Sequence, residues 1–271
     1  MSRTLKLTLA YDGTAYRGWQ RQAWGVSIQG LLEERLGRIE GAPVTVHGAG
    51  RTDAGVHALG QVASAVLTTA LDTGTLRRAL NATLPPDVRV VSVDDAPEGF
   101  HARFSAIGKT YEYWIFEGGV QPPFARAWSW HRPYGLDLAA MDQAARALAG
   151  THDFSVFQST GTDVKSSVRT VTHASVRVEP VHAGPVGLAN RAPGGALEAA
   201  DAGDRFIVIR LEADGFLRHM VRAITGTLVE IGEARRAAGS IPALLASRDR
   251  AAAGATAPAL GLVLVRVAYG G

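Results

Sequence analysis

The residues best suited to chemistry lie in one short run, Gly48-Ala49-Gly50-Arg51-Thr52-Asp53-Ala54-Gly55-Val56-His57-Ala58. Glycines and small alanines let the backbone turn sharply and approach a ligand closely, while Arg51 and Asp53 bracket a threonine. A guanidinium beside a carboxylate favours the ionised form, and an ionised carboxylate in a tight loop serves as nucleophile or base. Taken alone, the Arg-Thr-Asp triplet also fits an Asx-turn carrying a surface ion pair. His47, His57, His101 and His219 lack the H-E-x-x-H spacing of a zinc site, and cysteine is absent. No G-x-x-x-x-G-K-[ST] nucleotide loop is present either, so no metal or other cofactor is expected.

The elements that must position this run are legible from periodicity. Alternation over residues 5–11 predicts a strand, and Ile28, Leu31, Leu32, Leu36 and Ile39 share one face of a helix. Strands are expected at 44–48 and 60–67, on either side of the run, followed by a helix around Leu76 and Leu80 that ends before Pro85 and Pro86, and a strand at 88–93. The order βαββαβ then recurs after a break near residue 105. It comprises a strand at 110–116, a helix at 138–148, strands at 170–178 and 205–211, a helix at 217–231 and a strand at 262–268. Each half matches a ferredoxin-like unit. The expected fold is therefore α+β: two ferredoxin-like halves, 1–105 with the loop and 106–271, form a continuous, mostly antiparallel sheet with helices on one face and a central basic cleft. A further helix is expected at 241–248, with Ser240 as its N-cap and Pro242 in its first turn. Residues 180–204, rich in Gly, Ala and Pro and containing Arg191, form an exposed insertion between two strands that would otherwise make a hairpin.

Composition narrows the partner. The formal charge is only +3, but the 28 basic residues are 25 arginines and the three lysines Lys6, Lys109 and Lys165. Arginine grips phosphate through a planar fork and stacks on bases, so this set suits RNA, although a GC-rich coding sequence produces the same balance. With 46% hydrophobic residues the chain has material for one substantial core or two modest ones. No apolar run reaches membrane-spanning length, and residues 1–11 alternate rather than forming a signal-peptide core, so a cytoplasmic protein is expected.

The run from Ala49 to His57 closely resembles the signature of the TruA family of tRNA pseudouridine synthases, and further matches follow in order along nearly the whole chain. Tyr11-Asp12-Gly13-Thr14 through Tyr16-Arg17-Gly18-Trp19-Gln20-Arg21-Gln22 resembles the family's opening segment, with Ser27-Ile28-Gln29 at the first helix. Phe100-His101-Ala102-Arg103-Phe104-Ser105-Ala106 resembles its RNA-contacting stretch, and Lys109-Thr110-Tyr111-Glu112-Tyr113 the strand bearing its active-site tyrosine. Phe216-Leu217-Arg218-His219-Met220-Val221-Arg222 resembles its C-terminal helix.

The resemblance implies an isomerase that converts uridine to pseudouridine at positions 38, 39 and 40 of the tRNA anticodon stem-loop without a cofactor. Asp53 is then the nucleophile, Arg51 helps expel the target nucleotide from its stack, and Tyr111 packs on the flipped uracil. Phe100, His101, Ala102, Arg103 and Phe104 contact RNA, and Arg218 and Arg222, four apart on one helix, line the cleft. The chain departs from the family after residue 155, where Lys165, with Arg169 nearby, stands in for an arginine contact; the insertion is a second departure. The implied partners are tRNA and a second copy of the chain, with no DNA and no membrane. Two other readings stay open: a synthase of this fold with another RNA target, and a non-catalytic tandem of RRM-like modules. The latter requires the aromatic motif K/R-G-F/Y-G/A-F-V-x-F/Y, which neither half contains.

Overall fold

The computed structural model describes residues 2–133, 135–159, 161, 165–180 and 204–270. Residues 181–203, and with them Arg191 and most of the expected insertion, lie outside the described residues. The architecture is mixed α+β, with ten strands in mostly antiparallel pairing among the described residues. By internal contacts the chain forms two compact units, Met1–Lys109 with Val263–Gly271, and Thr110–Leu262.

In the first unit the central strand β1 (Arg3–Tyr11) lies antiparallel between β3 (His57–Leu67) and β4 (Val88–Asp95). Its inward residues Leu5, Leu7, Leu9 and Tyr11 are buried, as alternation predicts for a strand with one face on the core. The helix α1 (Ile28–Glu40) begins at Ser27, whose hydroxyl accepts the Gly30 N–H, and ends at Gly41 in the left-handed region at φ 74°. It buries Ile28, Leu32 and Leu36. The helix α2 (Thr73–Thr83) begins at Asp72, whose carboxylate accepts the Thr75 N–H at 2.8 Å, and buries Leu76 and Leu80. Only His47 and Gly48 of the expected 44–48 strand pair, forming β2 (His47–Gly48) against Ser64 and Ala63 of β3. The last strand, β10 (Leu262–Tyr269), returns to this unit and pairs parallel with the start of β3, Val263 opposite His57 and Leu264 opposite Ala58. Thus β3, which leads out of the glycine-rich run, is held by β1 on one side and by β10 and β2 on the other.

The second unit contains β6 (Trp130–Arg132), which pairs parallel with β5 (Ala106–Glu117), and an antiparallel series in the order β5, β9 (Arg205–Ala213), β8 (Val168–Pro180), β7 (Gly150–Asp153). The helix α3 (Leu138–Arg146), capped by Asp137 on the Ala140 N–H at 3.0 Å, packs on β8 and on α4 (Met220–Gly232). The strands β6 and β7 were not expected; at three and four residues they are too short for alternation to show. The expected 217–231 helix needs a larger correction. Its helical turns begin only at Met220, because His219 takes φ 61°, a left-handed conformation that a continuous α-helix does not contain. Leu217 and Arg218 therefore precede α4. The helix α5 (Ile241–Ser247) carries Pro242 in its first turn as expected, but the Ser240 hydroxyl makes no capping bond. No helix among the described residues is long and apolar enough to cross a membrane.

Candidate active site

The run flagged by its residue types is a loop from Ala49 to Val56 between β2 and β3, and a buried polar cluster clamps both of its limbs. Gln61, fully buried on β3, donates from Nε2 to the Gly50 carbonyl at 2.9 Å and to the Tyr11 hydroxyl at 3.4 Å. The Tyr11 hydroxyl also shares a hydrogen bond with Thr52 Oγ1, 2.8 Å away. Burial pushes the Tyr11 hydroxyl up to about 12 against the opposing effect of its Thr52 and Gln61 hydrogen bonds, so the hydroxyl stays protonated across the physiological range. Thr52 is thus fixed from below, and Asp53, its neighbour, sits half-buried at the bend.

The bend is a β-turn closed by the Val56 N–H on the Asp53 carbonyl at 3.1 Å, with Gly55 at φ 78° in the position that favours glycine. A second loop, residues 12–26, presses on it. The Trp19 N–H donates to the Thr52 carbonyl at 3.0 Å and the Gly55 N–H to the Tyr16 carbonyl at 3.3 Å. Gly18, at φ 88°, leaves no room for a side chain: a Cβ there would overlap the Thr52 carbonyl oxygen and lie 3.0 Å from the Asp53 carbonyl carbon.

The far limb is held by His57, fully buried, whose Nδ1 lies 3.1 Å from both Asp12 Oδ1 and the Gly13 nitrogen. One nitrogen cannot donate to the first and accept from the second. A charge-assisted bond to a carboxylate is the stronger, so we place the proton on Nδ1, facing Asp12. Burial alone would raise Asp12, but the hydrogen bonds from His57 and Thr14 outweigh it and hold the carboxyl at about 2.

The other expected site residues are placed as follows. Arg51 is exposed on the loop. In the first unit His101 stacks between His47 and Phe104, at ring separations of 4.7 and 4.4 Å, and its Nδ1 accepts the Arg103 N–H at 3.1 Å. Burial, reinforced by the charges of His47 and Arg103, lowers His101 below the ordinary histidine value. Phe104 is 77% exposed with the Arg103 guanidinium 5.7 Å from its ring centre. Ala102 is buried and anchors the segment, its N–H on Ser64 Oγ and its carbonyl accepting from Tyr269, whose ring also meets Phe100.

In the second unit Tyr111 is buried, edge-on to Phe216 at 5.2 Å. Lys165 and Arg218 are exposed, while Arg169 bonds the Ser166 and Val168 carbonyls and Arg222 donates to the Ala257 carbonyl at 2.7 Å. Arg218 and Arg222 do not share a helix face, since the first lies before α4.

Comparison with known proteins supplies the family. A family model described as tRNA pseudouridine synthase matches residues 8–105 and 144–270. The chain belongs to the tRNA pseudouridine synthase family. It is 46% identical to tRNA pseudouridine synthase A of Nitratidesulfovibrio vulgaris, over 98% of this chain and 99% of that one. Its relative of the same name in Moorella thermoacetica is 43% identical over 98% and 99%, and that of Streptococcus thermophilus 42% over 97% and 98%. Membership removes the tandem RRM-like reading. The family's matched span contains both the Asp53 loop and the residues that clamp it, of which Gln61 and Thr52 received no role from sequence. A glutamine between apolar residues of a strand was the available signal, because a buried amide demands partners.

Proposed function

We propose that this chain isomerises uridine to pseudouridine at positions 38, 39 and 40 of the tRNA anticodon stem-loop, with Asp53 as the catalytic carboxylate. The reading is carried by one observation: the bend that bears Asp53 is clamped on one limb by the Gln61 and Tyr11 hydrogen bonds and on the other by His57 against Asp12, while its carboxylate remains half-buried. In the reaction the N1–C1′ bond breaks, the uracil turns, and C5–C1′ forms, with one proton leaving C5 and one arriving at N1. Redox state is unchanged and no cofactor is needed. Asp53 assists in its ionised form, by adding to the uracil ring or at C1′. A stacked nucleotide cannot be reached, so the enzyme flips it out at a cost of a few kcal/mol. Arg51 fills the vacated space, and Tyr111 stacks on the base.

The two ferredoxin-like halves, the basic cleft between them, the RNA contacts of Phe100 to Phe104, Lys165, Arg169, Arg218 and Arg222, and a cytoplasmic homodimer belong to the same proposal. Asp53→Asn is expected to fold and bind tRNA but form no pseudouridine, scored by mapping pseudouridine in bulk tRNA from cells that carry either form. Turnover by this variant removes Asp53 from the chemistry.

A further inference from the structure

The loop that presses on the Asp53 turn ends in an exposed indole with no role in the fold. Trp24 is 63% exposed, and the Arg17 guanidinium covers one face at 4.8 Å from the ring centre. The stack is built rather than incidental. Gly25, at φ 81°, clears the path of the Arg17 side chain, since a Cβ there would lie 2.7 Å from Arg17 Cγ. The Arg17 N–H donates to the Val26 carbonyl at 2.9 Å and Gln22 Nε2 to the Arg17 carbonyl at 2.9 Å, which close the loop into a ring. Arg21 and Val26 of the same loop are also exposed, the Arg21 guanidinium lying 3.4 Å from the Glu33 carboxylate. With the guanidinium on one face, so high an exposure leaves the opposite face of the ring to water.

We propose that Trp24, backed by Arg17, is a stacking platform for an unpaired base of the RNA substrate beside the one that is flipped. The occupant follows from the chemistry. A flat aromatic face backed by a cation takes a π-surface, and the arginine behind it adds an attraction for the phosphate backbone that accompanies that base. An acidic or apolar peptide would use the charge or the area, but not the face. The position follows from the backbone: Arg17 lies between Tyr16, which accepts from Gly55, and Gly18, packed on Thr52 and Asp53. A base on Trp24 is therefore registered against the loop that carries the carboxylate.

This inference rests on the tRNA reading above. The test is pseudouridine formation on an anticodon stem-loop RNA with wild type, Trp24→Ala, Trp24→Phe and Arg17→Ala. Trp24→Ala is expected to raise KM roughly ten-fold with kcat within two-fold of wild type, because loss of one base stack is of that size. Trp24→Phe should recover most of the loss and Arg17→Ala should fall between. An unchanged KM for Trp24→Ala overturns the platform, as does an equal loss of affinity for a fully paired duplex of the same length, which offers no free base. If wild type itself forms no pseudouridine on tRNA, the functional reading fails instead, so the two failures are separable.

Discussion

Asp12 shows how much of the site lies outside the residues that perform chemistry. Its carboxylate is drawn down to about 2 by His57 and Thr14, and folding therefore gains from keeping it ionised. The sign follows from linkage: the folded value lies below the ordinary 3.8, so this stability is present above pH 4 and is lost as pH falls toward 2. Asp12→Asn is expected to cost about 2 kcal/mol at neutral pH and to flatten the acid limb between pH 4 and 2. Urea unfolding of both proteins across that range decides it, and parallel limbs would show that Asp12 contributes nothing through its charge. Sequence identified Asp53 and Arg51 through an unusual density of glycine around two charges. It did not find the clamp, because Tyr11, Thr52 and Gln61 are far apart in the chain and meet only through strand register.

Among the elements, α4 is buried on nearly every side, and its closest neighbour is backbone. Gly226 lies against the Ala255 carbonyl so tightly that a methyl group would overlap it. Gly226→Ala is therefore expected to destabilise by about 1–3 kcal/mol, although alanine is the better helix former, and a rise in melting temperature would contradict the packing. Helices were the most legible part of the sequence: α1, α2 and α3 were expected close to where they lie, whereas their caps at Ser27, Asp72 and Asp137 came only with the structure, and the one cap expected from sequence, Ser240, makes no capping bond. What periodicity missed has a cause in each case. His219 delays the start of α4 with a left-handed turn that no glycine announces, and β6 and β7, at three and four residues, are too short for alternation to show. The parallel partner of β10 is invisible to any local pattern.

For the whole molecule, charge kind matters more than charge sum. Arginine supplies 25 of the 28 basic residues, while the formal net charge is only +3. The logarithm of tRNA affinity is expected to fall linearly with the logarithm of salt concentration, since each phosphate contact releases condensed counterions. Arg103→Ala, which removes an exposed guanidinium without touching the Asp53 loop, should reduce that slope by about one. A titration in which the slope stays the same would place Arg103 away from phosphate.

The closing strand carries a consequence for the newborn protein. Val263 and Leu264 lie beside His57 and Ala58, the residues that follow the Asp53 bend. A ribosome releases the bend long before its flanking strand, so this end of the β3 edge stays bare while the chain between them is made. Termination after Tyr111 but before that strand would leave the bend without its β10 partner, even though every residue proposed for catalysis had already been synthesised.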